Sequence, residues 1–239
     1  MSLEGTQTYF LPGADGWIVV DPGDDDASHQ AAIAAVGPIE SVLVTHRHHD
    51  HVGGLARLRA ATGAASRGHD ARFSVGADPL SDGASIRLGG TLAFARVLAT
   101  PGHTSDSVSL VLHDEGGPVG VLTGDTLLGH GTTIIDHPDG RLGDYLRSLE
   151  RLAELGPIPA LPAHGGFPGP VDSLAHSYRA HRAQRLDQVR HAVAELRAAD
   201  KAIGVGQVTD LVYADVDPSV RKAAEHTVAA QLALLEEEG

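Results

Sequence analysis

The stretch Thr45-His46-Arg47-His48-His49-Asp50-His51-Val52-Gly53-Gly54 places four potential metal ligands within six residues. It directly follows Ser41-Val42-Leu43-Val44, an apolar run that predicts a buried strand. Because residues two apart in an extended chain point to the same side, His46 and His48 can share one ion. Asp50 and His51, in the turn that follows, can face a second ion. Imidazole and carboxylate ligands suit zinc and, less selectively, iron or manganese.

Composition restricts both the ligands and the partners. The chain has no cysteine, so disulfides and thiolate ligands are excluded and a metal must be held by His, Asp or Glu. Fifteen histidines against eighteen Lys plus Arg is a high ratio that fits metal binding. The net charge of −13 argues against a broad nucleic-acid-binding face, because phosphate contacts need clustered Lys and Arg. Duplex DNA is therefore not an expected partner.

The length of 239 residues is enough for a sizeable core, and abundant Ala and Gly suggest an α/β protein packed through small residues. No apolar run is long enough to span a membrane, so we expect no membrane partner. The N-terminus lacks a basic region followed by an apolar core, which predicts a cytoplasmic protein.

The first part of the chain reads as a hairpin followed by helix and strand segments. Strands over Thr6–Leu11 and Trp17–Val20 flank a Pro-Gly turn, and the second strand ends at the carboxylate of Asp21. The other elements predicted here are a helix over 29–36 capped by Ser28, a helix over 55–61 after a turn at Gly53-Gly54, and weaker strands over 72–75 and 85–88.

Three further times, a short apolar strand ends in a Gly- or Pro-containing turn that carries one His or Asp. Strands over 92–98, 119–122 and 158–161 run toward His103, Asp125 and His164 respectively. Strand C-terminal ends are where α/β folds place their sites, because the loops there are free to converge. Another apolar strand is predicted over 107–112, and a helix with an apolar face runs from Leu142 to Leu155.

The character of the chain changes after Asp172. A long helix is predicted over 172–199, then a short segment over 206–213, then a helix over 217–235 with Asp217 at its N-cap and Pro218 in its first turn. We therefore predict a catalytic domain over 1–171 and a helical, winged-helix-like module over 172–239. Residues 176–239 contain eight Lys plus Arg against ten Asp plus Glu, so a module that packs on the core or shapes the pocket is favoured over a DNA-binding one.

The H-x-H-x-D-H loop and the turns Pro101-Gly102-His103-Thr104, Thr123-Gly124-Asp125-Thr126 and Pro162-Ala163-His164-Gly165 resemble the metallo-β-lactamase superfamily. The resemblance implies an αββα sandwich with a dinuclear metal site at one edge of its two sheets. The stretch over 124–133, the leucine-rich helix and the Tyr178…His181-Arg182 helix with its tail resemble the β-lactamase-like-protein-2 branch. The mitochondrial member of that branch in animals is a single-strand-specific endoribonuclease.

The resemblance also implies a ligand set. Two zinc ions per chain are expected, with iron or manganese as the other metals to consider. Carried onto the matching positions, the first metal is held by His46, His48 and His103, the second by Asp50, His51 and His164, and Asp125 bridges them. Asp21 matches a strand-end aspartate that orients ligand imidazoles.

Two departures from well-known members narrow the function. The best-known antibiotic-hydrolysing zinc β-lactamases use a cysteine ligand, which this chain lacks. A bridging Asp125 instead resembles glyoxalase-II-like and RNA-processing members. The large inserted domain of the major RNA-processing nucleases is also missing, since His103, Asp125 and His164 follow one another too closely to hold it.

The chemistry implied is metal-dependent hydrolysis. Coordination lowers the pKa of water from about 16 to about 7, roughly 12 kcal/mol of activation. A general base alone supplies only about 3–5 kcal/mol. By this hypothesis a metal-bound hydroxide attacks, and Asp50 is the catalytic residue that orients it or moves its proton. A site charge of about +1 favours an anionic ester-type substrate: a phosphodiester of single-stranded RNA, or a small-molecule thioester or lactone.

The remaining candidates are less specific. His130 and His181 are candidates for the substrate pocket. His49 is predicted to point away from the ligands, and Asp136, Asp139 and Asp144 are predicted to act as turn and helix caps. Two other classes stay open: a mononuclear iron sulfur-oxygenase of the same fold, and a non-catalytic regulatory protein. The sequence leaves the oligomeric state open, including a homodimer.

Overall fold

A computed structural model of the chain describes residues 5–214, 217 and 221–238. Two β-sheets lie face to face, with helices on both outer faces. The predicted α/β class and αββα sandwich are confirmed. None of the described helices is both long and apolar enough to cross a membrane.

The elements of the sandwich appear in this order along the chain: β1 (Tyr9–Pro12), β2 (Trp17–Val20), α1 (Ala27–Ala35), β3 (Ile39–Leu43), α2 (His49–Val52), α3 (Leu55–Thr62), β4 (Ala65–Arg67), β5 (Ser85–Arg87), β6 (Phe94–Ala99), β7 (Val108–Asp114), β8 (Gly117–Gly124), α4 (Leu142–Ala153), β9 (Ala160–Pro162), α5 (Val171–Ala198), α6 (Val205–Val212) and α7 (Arg221–Glu238).

The first sheet has the order β1-β2-β3-β4, with an antiparallel β1–β2 hairpin and parallel pairing from β2 to β4. Its strand β2 is buried on both faces. In β2, Ile18 and Val20 pack between the sheets, whereas Val19 packs with Ile33 of α1 and Leu58 of α3 on the outer face. This alternation follows from the period of two in a strand.

The second sheet has the order β5-β6-β7-β8-β9 and is antiparallel except for the parallel β8–β9 pair. Leu110 and Leu112 of β7 face the first sheet, and Val111 between them faces α4 and α5. The predicted apolar face of α4 is confirmed, since Tyr145, Leu149 and the neighbouring apolar residues are fully buried against this sheet.

Several local predictions were wrong. The segment predicted as a strand over 72–75 contains a 3₁₀ turn, Ala71–Phe73, capped by the Asp70 carboxylate. Strand β4, which is only three residues long, was not predicted. The cap of α1 is Asp26 rather than Ser28: the Asp26 carboxylate accepts a hydrogen bond from the His29 amide at 2.7 Å, and the Ser28 hydroxyl donates to the same carboxylate.

The loop after β3 also differs from its prediction. Asp50 and His51 lie in the single helical turn α2, not in an irregular turn. Gly53 and Gly54 have ordinary negative φ angles of −55° and −78°. Glycine is required at 54 by a close approach instead, because a Cβ there would lie 2.8 Å from the Asp24 carbonyl oxygen.

The C-terminal part is helical, as predicted. The segment predicted as short over 206–213 is mostly the helix α6, and the second half of α5 packs with α6 and α7 around Val189, Val208 and Val228. The first half of α5 packs on α4 in the core of the sandwich. Pro218, predicted for the first turn of the last helix, lies outside the described residues. The domain boundary at 171/172 stays a prediction.

Candidate metal centre

All of the predicted ligands lie at one edge of the sandwich, because each follows the C-terminal end of a strand. The first sheet contributes those in the loop after β3 and in α2, and the second sheet contributes those after β6, β8 and β9. They form two groups: His46, His48, His103 and Asp125, and next to them Asp50, His51 and His164.

The ring nitrogens of the first group converge on one point. His46 Nε2 lies 3.0 Å from His48 Nδ1, and His103 Nε2 lies 3.2 Å and 2.9 Å from those two atoms. Ligand nitrogens about 2.0–2.1 Å from a tetrahedral ion are separated by about 3.4 Å. Asp125 Oδ2 completes the group at 3.7 Å from His103 Nε2 and 4.0 Å from His46 Nε2.

The second group shares Asp125 with the first. Asp50 Oδ2 lies 3.3 Å from His164 Nε2 and 3.8 Å from His51 Nε2. Asp125 Oδ1 lies 3.3 Å and 3.4 Å from the same two nitrogens. One oxygen of the Asp125 carboxylate therefore faces each group, which is the arrangement that a bridging ligand requires.

The residues present fit a pair of metal ions. His46, His51, His103 and His164 are each at least 96% buried. His51 Nε2 and Asp125 Oδ1 are buried and make no hydrogen bond within the described part of the chain. Such orphaned atoms are costly unless a ligand satisfies them. Imidazole and carboxylate donors without thiolate suit zinc, iron or manganese.

The outward nitrogens of the histidines are held by the surrounding fold. His51 Nδ1 lies 2.8 Å from Asp21 Oδ2, and the Asp21 carboxylate also accepts hydrogen bonds from the Thr45 amide and hydroxyl. His103 Nδ1 donates to the Ile134 carbonyl at 2.6 Å, and His164 Nδ1 donates to the Gly5 carbonyl at 3.0 Å. Such partners orient the rings and select the nitrogen that faces a metal. Asp21 thus has the position predicted for it.

Sequence reasoning missed the partner of His48. The interpretation of Asp136 and Asp139 as simple caps was wrong: Asp136 Oδ2 lies 3.2 Å from His48 Nε2 and also pairs with Arg47. Asp139 accepts hydrogen bonds from Arg47 and from the Ser105 amide. No local signal could have shown this, since 88 residues separate His48 from Asp136.

In the metal-free protein, the pKa values of the buried histidines differ between the two groups. Burial, with the neighbouring imidazoles, lowers the pKa of His46, and burial lowers the pKa of His103 to about 4. The carboxylates of Asp125 and Asp50, each with an oxygen 3.3 Å from His164 Nε2, raise the pKa of His164 to about 10. Burial opposes protonation of His51, but the Asp21 and Asp125 carboxylates outweigh it and raise its pKa to about 10.

The two candidate substrate-pocket residues are not members of these two groups. His130 is exposed, and its Nδ1 lies against Gly165, the residue after His164. His181 is on α5 and lines a groove of about 220 Å³ beside the loop over 132–134. His49 is 79% exposed and pairs with Asp24, so it points away from the ligands as predicted.

Helix α5 holds the loop that follows Asp125. The Tyr178 hydroxyl donates to the Gly131 carbonyl at 2.7 Å and accepts from the Leu128 amide at 3.1 Å. The buried Arg182 guanidinium donates to the Thr133 carbonyl. Because the next residue, Ile134, accepts the hydrogen bond of His103, α5 supports a candidate ligand from outside the sheet edge.

The fold and these side-chain groups define an αββα sandwich with a candidate metal centre at the edge of its sheets. Residues 2–164 match the family described as the metallo-beta-lactamase superfamily, and residues 205–239 match the beta-lactamase associated winged helix domain. The chain belongs to the metallo-β-lactamase superfamily, whose members bind metal ions and are mostly metal-dependent hydrolases. The predicted family and the winged-helix-like tail are confirmed.

Two curated relatives show the extent of the similarity. The chain is 33% identical to the lactamase-like protein aptB of Emericella nidulans over 93% of this chain and 73% of the relative. It is 30% identical to the beta-lactamase-like protein 2 homolog of Drosophila melanogaster over 100% of this chain and 85% of the relative. The predicted resemblance to the β-lactamase-like-protein-2 branch is confirmed.

Solved structures share the fold. A metallo-beta-lactamase family protein from Thermus thermophilus aligns with a TM-score of 0.79 and 24% identity, covering 98% of this chain and 89% of that one. The protein TTHA1623, solved in a di-iron-bound form, aligns with a TM-score of 0.56 and 27% identity over 71% of this chain and 93% of that one.

Proposed function

We propose that this protein is a dinuclear metal-dependent hydrolase. The observation that carries the proposal is the placement of Asp125, whose two carboxylate oxygens face two adjacent groups of ligand atoms. Each group has enough His and Asp donors to hold one ion. Two bound divalent ions supply an activated water near neutral pH and stabilise negative charge that develops on the substrate.

The residues of the chain contribute orientation and proton transfer. Asp50 is the proposed catalytic residue: it lies at the edge of the second group, its Oδ2 accepts a hydrogen bond from the Thr6 hydroxyl at 3.1 Å, and it is a quarter exposed. The hydrogen bond with His164, together with the charge of His51, lowers the pKa of Asp50 despite its partial burial. An ionised Asp50 can orient a water molecule and hold its proton.

The substrate proposed is an anionic ester. Seven ligand side chains contribute only two carboxylates, so two divalent ions leave the centre positive, which attracts a substrate with negative charge next to the bond that is cleaved. A phosphodiester of single-stranded RNA meets this requirement, and so does a small-molecule thioester or lactone that carries a carboxylate. The similarity to the beta-lactamase-like protein 2 homolog supports testing RNA first.

Zinc is the proposed metal. The di-iron-bound form of TTHA1623 supports iron as the alternative at the same positions. A mononuclear iron oxygenase needs only one group of ligands, whereas here Asp50, His51 and His164 form a complete second group. This second group favours the dinuclear hydrolase, and the same completeness disfavours a purely regulatory protein.

The test is cleavage of a fluorogenic single-stranded RNA by zinc-loaded protein, beside the Asp50→Ala variant. We expect cleavage that falls by about 10²–10⁴-fold in the variant, the usual contribution of a positioned proton-transfer group. His49→Ala is the matched control, because His49 is the neighbouring, exposed side chain that pairs with Asp24.

Metal content is measured in parallel for every protein. Wild-type turnover in Asp50→Ala with two metals bound would remove Asp50 from the mechanism. If the wild-type protein binds two metals and does not cleave RNA, the same comparison is run on a panel of anionic thioesters and lactones. Absence of turnover on all of these substrates would contradict the hydrolase.

A further inference from the structure

The groove beside His181 lies between the catalytic domain and the C-terminal helices. Its walls are the loop over 132–134, helix α5, Tyr213 after α6, and the start of α7, and its volume is about 220 Å³. It lies on the far side of the loop that α5 holds against His103. The groove is therefore adjacent to the candidate metal centre but contains none of the candidate ligands.

The charge of the groove is opposite to that of the protein. Its lining carries the guanidinium groups of Arg182 and Arg185 and the imidazole of His181, and no described lining residue is a carboxylate. Asp210 and Arg221, on the neighbouring helices, pair with each other. In a chain with a net charge of −13, two guanidinium groups in one groove without a lining carboxylate need an explanation.

Two of the residues that line the groove each have a buried nitrogen that makes no hydrogen bond within the described part of the chain. Arg182 is 97% buried, yet among the described residues its Nε finds no acceptor, although another nitrogen of the same guanidinium donates to the Thr133 carbonyl. His181 Nδ1 is also buried without a partner. An unsatisfied buried donor costs about 1–3 kcal/mol, and more when it is charged. A ligand with several acceptor oxygens would remove this cost.

We propose that this groove is a second binding site, for a tetrahedral oxyanion such as a phosphate group. Arg185 provides a second cation at the groove, with its guanidinium 5.0 Å from the centre of the Tyr213 ring. Burial and the two neighbouring guanidinium groups lower the pKa of His181, consistent with an electropositive groove. Arginine recognises phosphate through paired, charge-assisted hydrogen bonds.

The oxyanion has two sources with the same chemistry. It is either a free anion or a distal phosphate of an extended anionic substrate whose reacting group lies at the metal centre. The second source rests on the proposed function, whereas binding of a free anion does not. The experiment therefore measures binding first and turnover second.

The binding test uses inorganic sulfate and the zinc-loaded full-length chain at constant ionic strength. The His181→Gln/Arg185→Gln double variant leaves Arg182, and thus the loop beside His103, untouched. We expect saturable sulfate binding that shifts the ring resonances of His181 in NMR spectra of the wild-type protein. The double variant, followed by calorimetry, should bind at least tenfold more weakly.

Arg197→Gln is the matched control, because Arg197 is an exposed arginine on the same helix and should leave sulfate affinity unchanged. Cooperative urea unfolding of each variant establishes that it is folded. His181 resonances that do not respond to sulfate, or a double variant with wild-type affinity, would overturn the second site.

The turnover test identifies the source of the anion. With an oligonucleotide substrate, the double variant should have a higher KM than the wild type and the same kcat. With a small substrate that contains a single phosphodiester, the double variant and the wild type should have the same KM and kcat. That result assigns the groove to a distal phosphate of the substrate. If the double variant has the wild-type KM for both substrates but no longer binds sulfate, the groove is assigned to a free anion. If the hydrolase proposal fails, the turnover test can no longer be made, but the sulfate-binding test of the groove is unaffected.

Discussion

Asp125 connects the two candidate metal positions, and Asp21 organises the second of them. The Asp21 carboxylate accepts hydrogen bonds from the Thr45 amide and hydroxyl and lies 2.8 Å from His51 Nδ1, all within the core of the site. Its backbone has a positive φ of 52°, a strained conformation for a residue other than glycine. Strain of this kind persists only where surrounding contacts hold it.

We predict that Asp21→Asn weakens binding of the second zinc ion by about 10–100-fold, because the carboxylate that orients His51 is lost. The first ion should bind with nearly wild-type affinity, since His46, His48 and His103 remain. Competition with a chromogenic zinc chelator measures both affinities. Asp24→Asn is the control, as Asp24 is an exposed carboxylate that pairs with His49 outside the site. Equal losses in the two variants would rule out a specific role of Asp21.

The protonation of the metal-free ligands predicts how binding depends on pH. Since their pKa values are about 10, His51 and His164 are both protonated at pH 7 and each must release a proton when an ion binds. The pKa of His103 is about 4, so it has no proton to release at that pH. Affinity for the second ion should therefore rise with pH up to about 10, whereas affinity for the first should depend on pH less steeply, because the pKa values of His46 and His103 are lowered.

Calorimetry in buffers of different ionisation enthalpy counts the protons directly. We expect about two protons to be released at pH 7 with the second ion and fewer with the first. Release of protons with the first ion alone would contradict this assignment of charge.

At the scale of single residues, the convergence of the candidate ligands was predictable and the partners of their outward nitrogens were not. His46, His48, Asp50 and His51 are close in sequence, so their spacing was enough to place them at one strand end. Asp136 contacts His48 only because the chain returns after five more strands and the loop that follows β8. A contact of that range has no local pattern, and Asp136 was therefore interpreted as a cap.

Helix α5 is the element that joins the two parts of the molecule. Its first half packs in the core of the sandwich, and its second half packs against α6 and α7. Between them, Tyr178 and Arg182 bind backbone groups of the loop that follows Asp125. The position of this loop sets the direction of the Ile134 carbonyl and hence of His103.

We predict that Tyr178→Phe lowers the free energy of unfolding by about 1–3 kcal/mol, because the Leu128 amide and Gly131 carbonyl lose their shared partner. It should also speed zinc dissociation from the first position, where His103 is less firmly held. Urea unfolding and chelator-driven metal release are the measurements.

Tyr213→Phe serves as the control, because the Tyr213 ring contacts Arg185 and not this loop. A Tyr178→Phe variant with unchanged stability and unchanged zinc release would show that the hydroxyl does not support the site.

At the scale of elements, a helix with strong apolar periodicity was predicted correctly, whereas a very short strand was missed. The helix α4 was predicted closely because its apolar residues recur every three or four positions. Strand β4, Ala65–Arg67, has three residues of no particular pattern and exists because β3 supplies its hydrogen bonds. Tertiary pairing of this kind overrides local preference.

Across the whole molecule, the candidate metal centre lies where the two sheets meet. The first sheet contributes the candidate ligands His46, His48, Asp50 and His51, and the second sheet contributes His103, Asp125 and His164. Each ion would therefore be bound by residues of both sheets. The metals would link the two halves of the sandwich in the folded state and not in the unfolded chain.

Metal removal is accordingly predicted to destabilise the protein. An ion present at about 100 times its dissociation constant stabilises the folded state by about 2.7 kcal/mol. For a chain of this size, that corresponds to a decrease in Tm of roughly 5–10 °C after chelation. Differential scanning calorimetry with and without a chelator measures the change, and re-addition of zinc should restore it. An unchanged Tm would mean that the sheets are not linked through metal.

The central claim is that two ions share Asp125, and anomalous diffraction from crystals of the zinc-loaded protein tests it most directly. The account predicts two anomalous peaks about 3.5–4 Å apart, with one Asp125 oxygen coordinating each. A single peak among His46, His48 and His103, at full zinc saturation, would contradict the dinuclear centre and the hydrolase proposed from it.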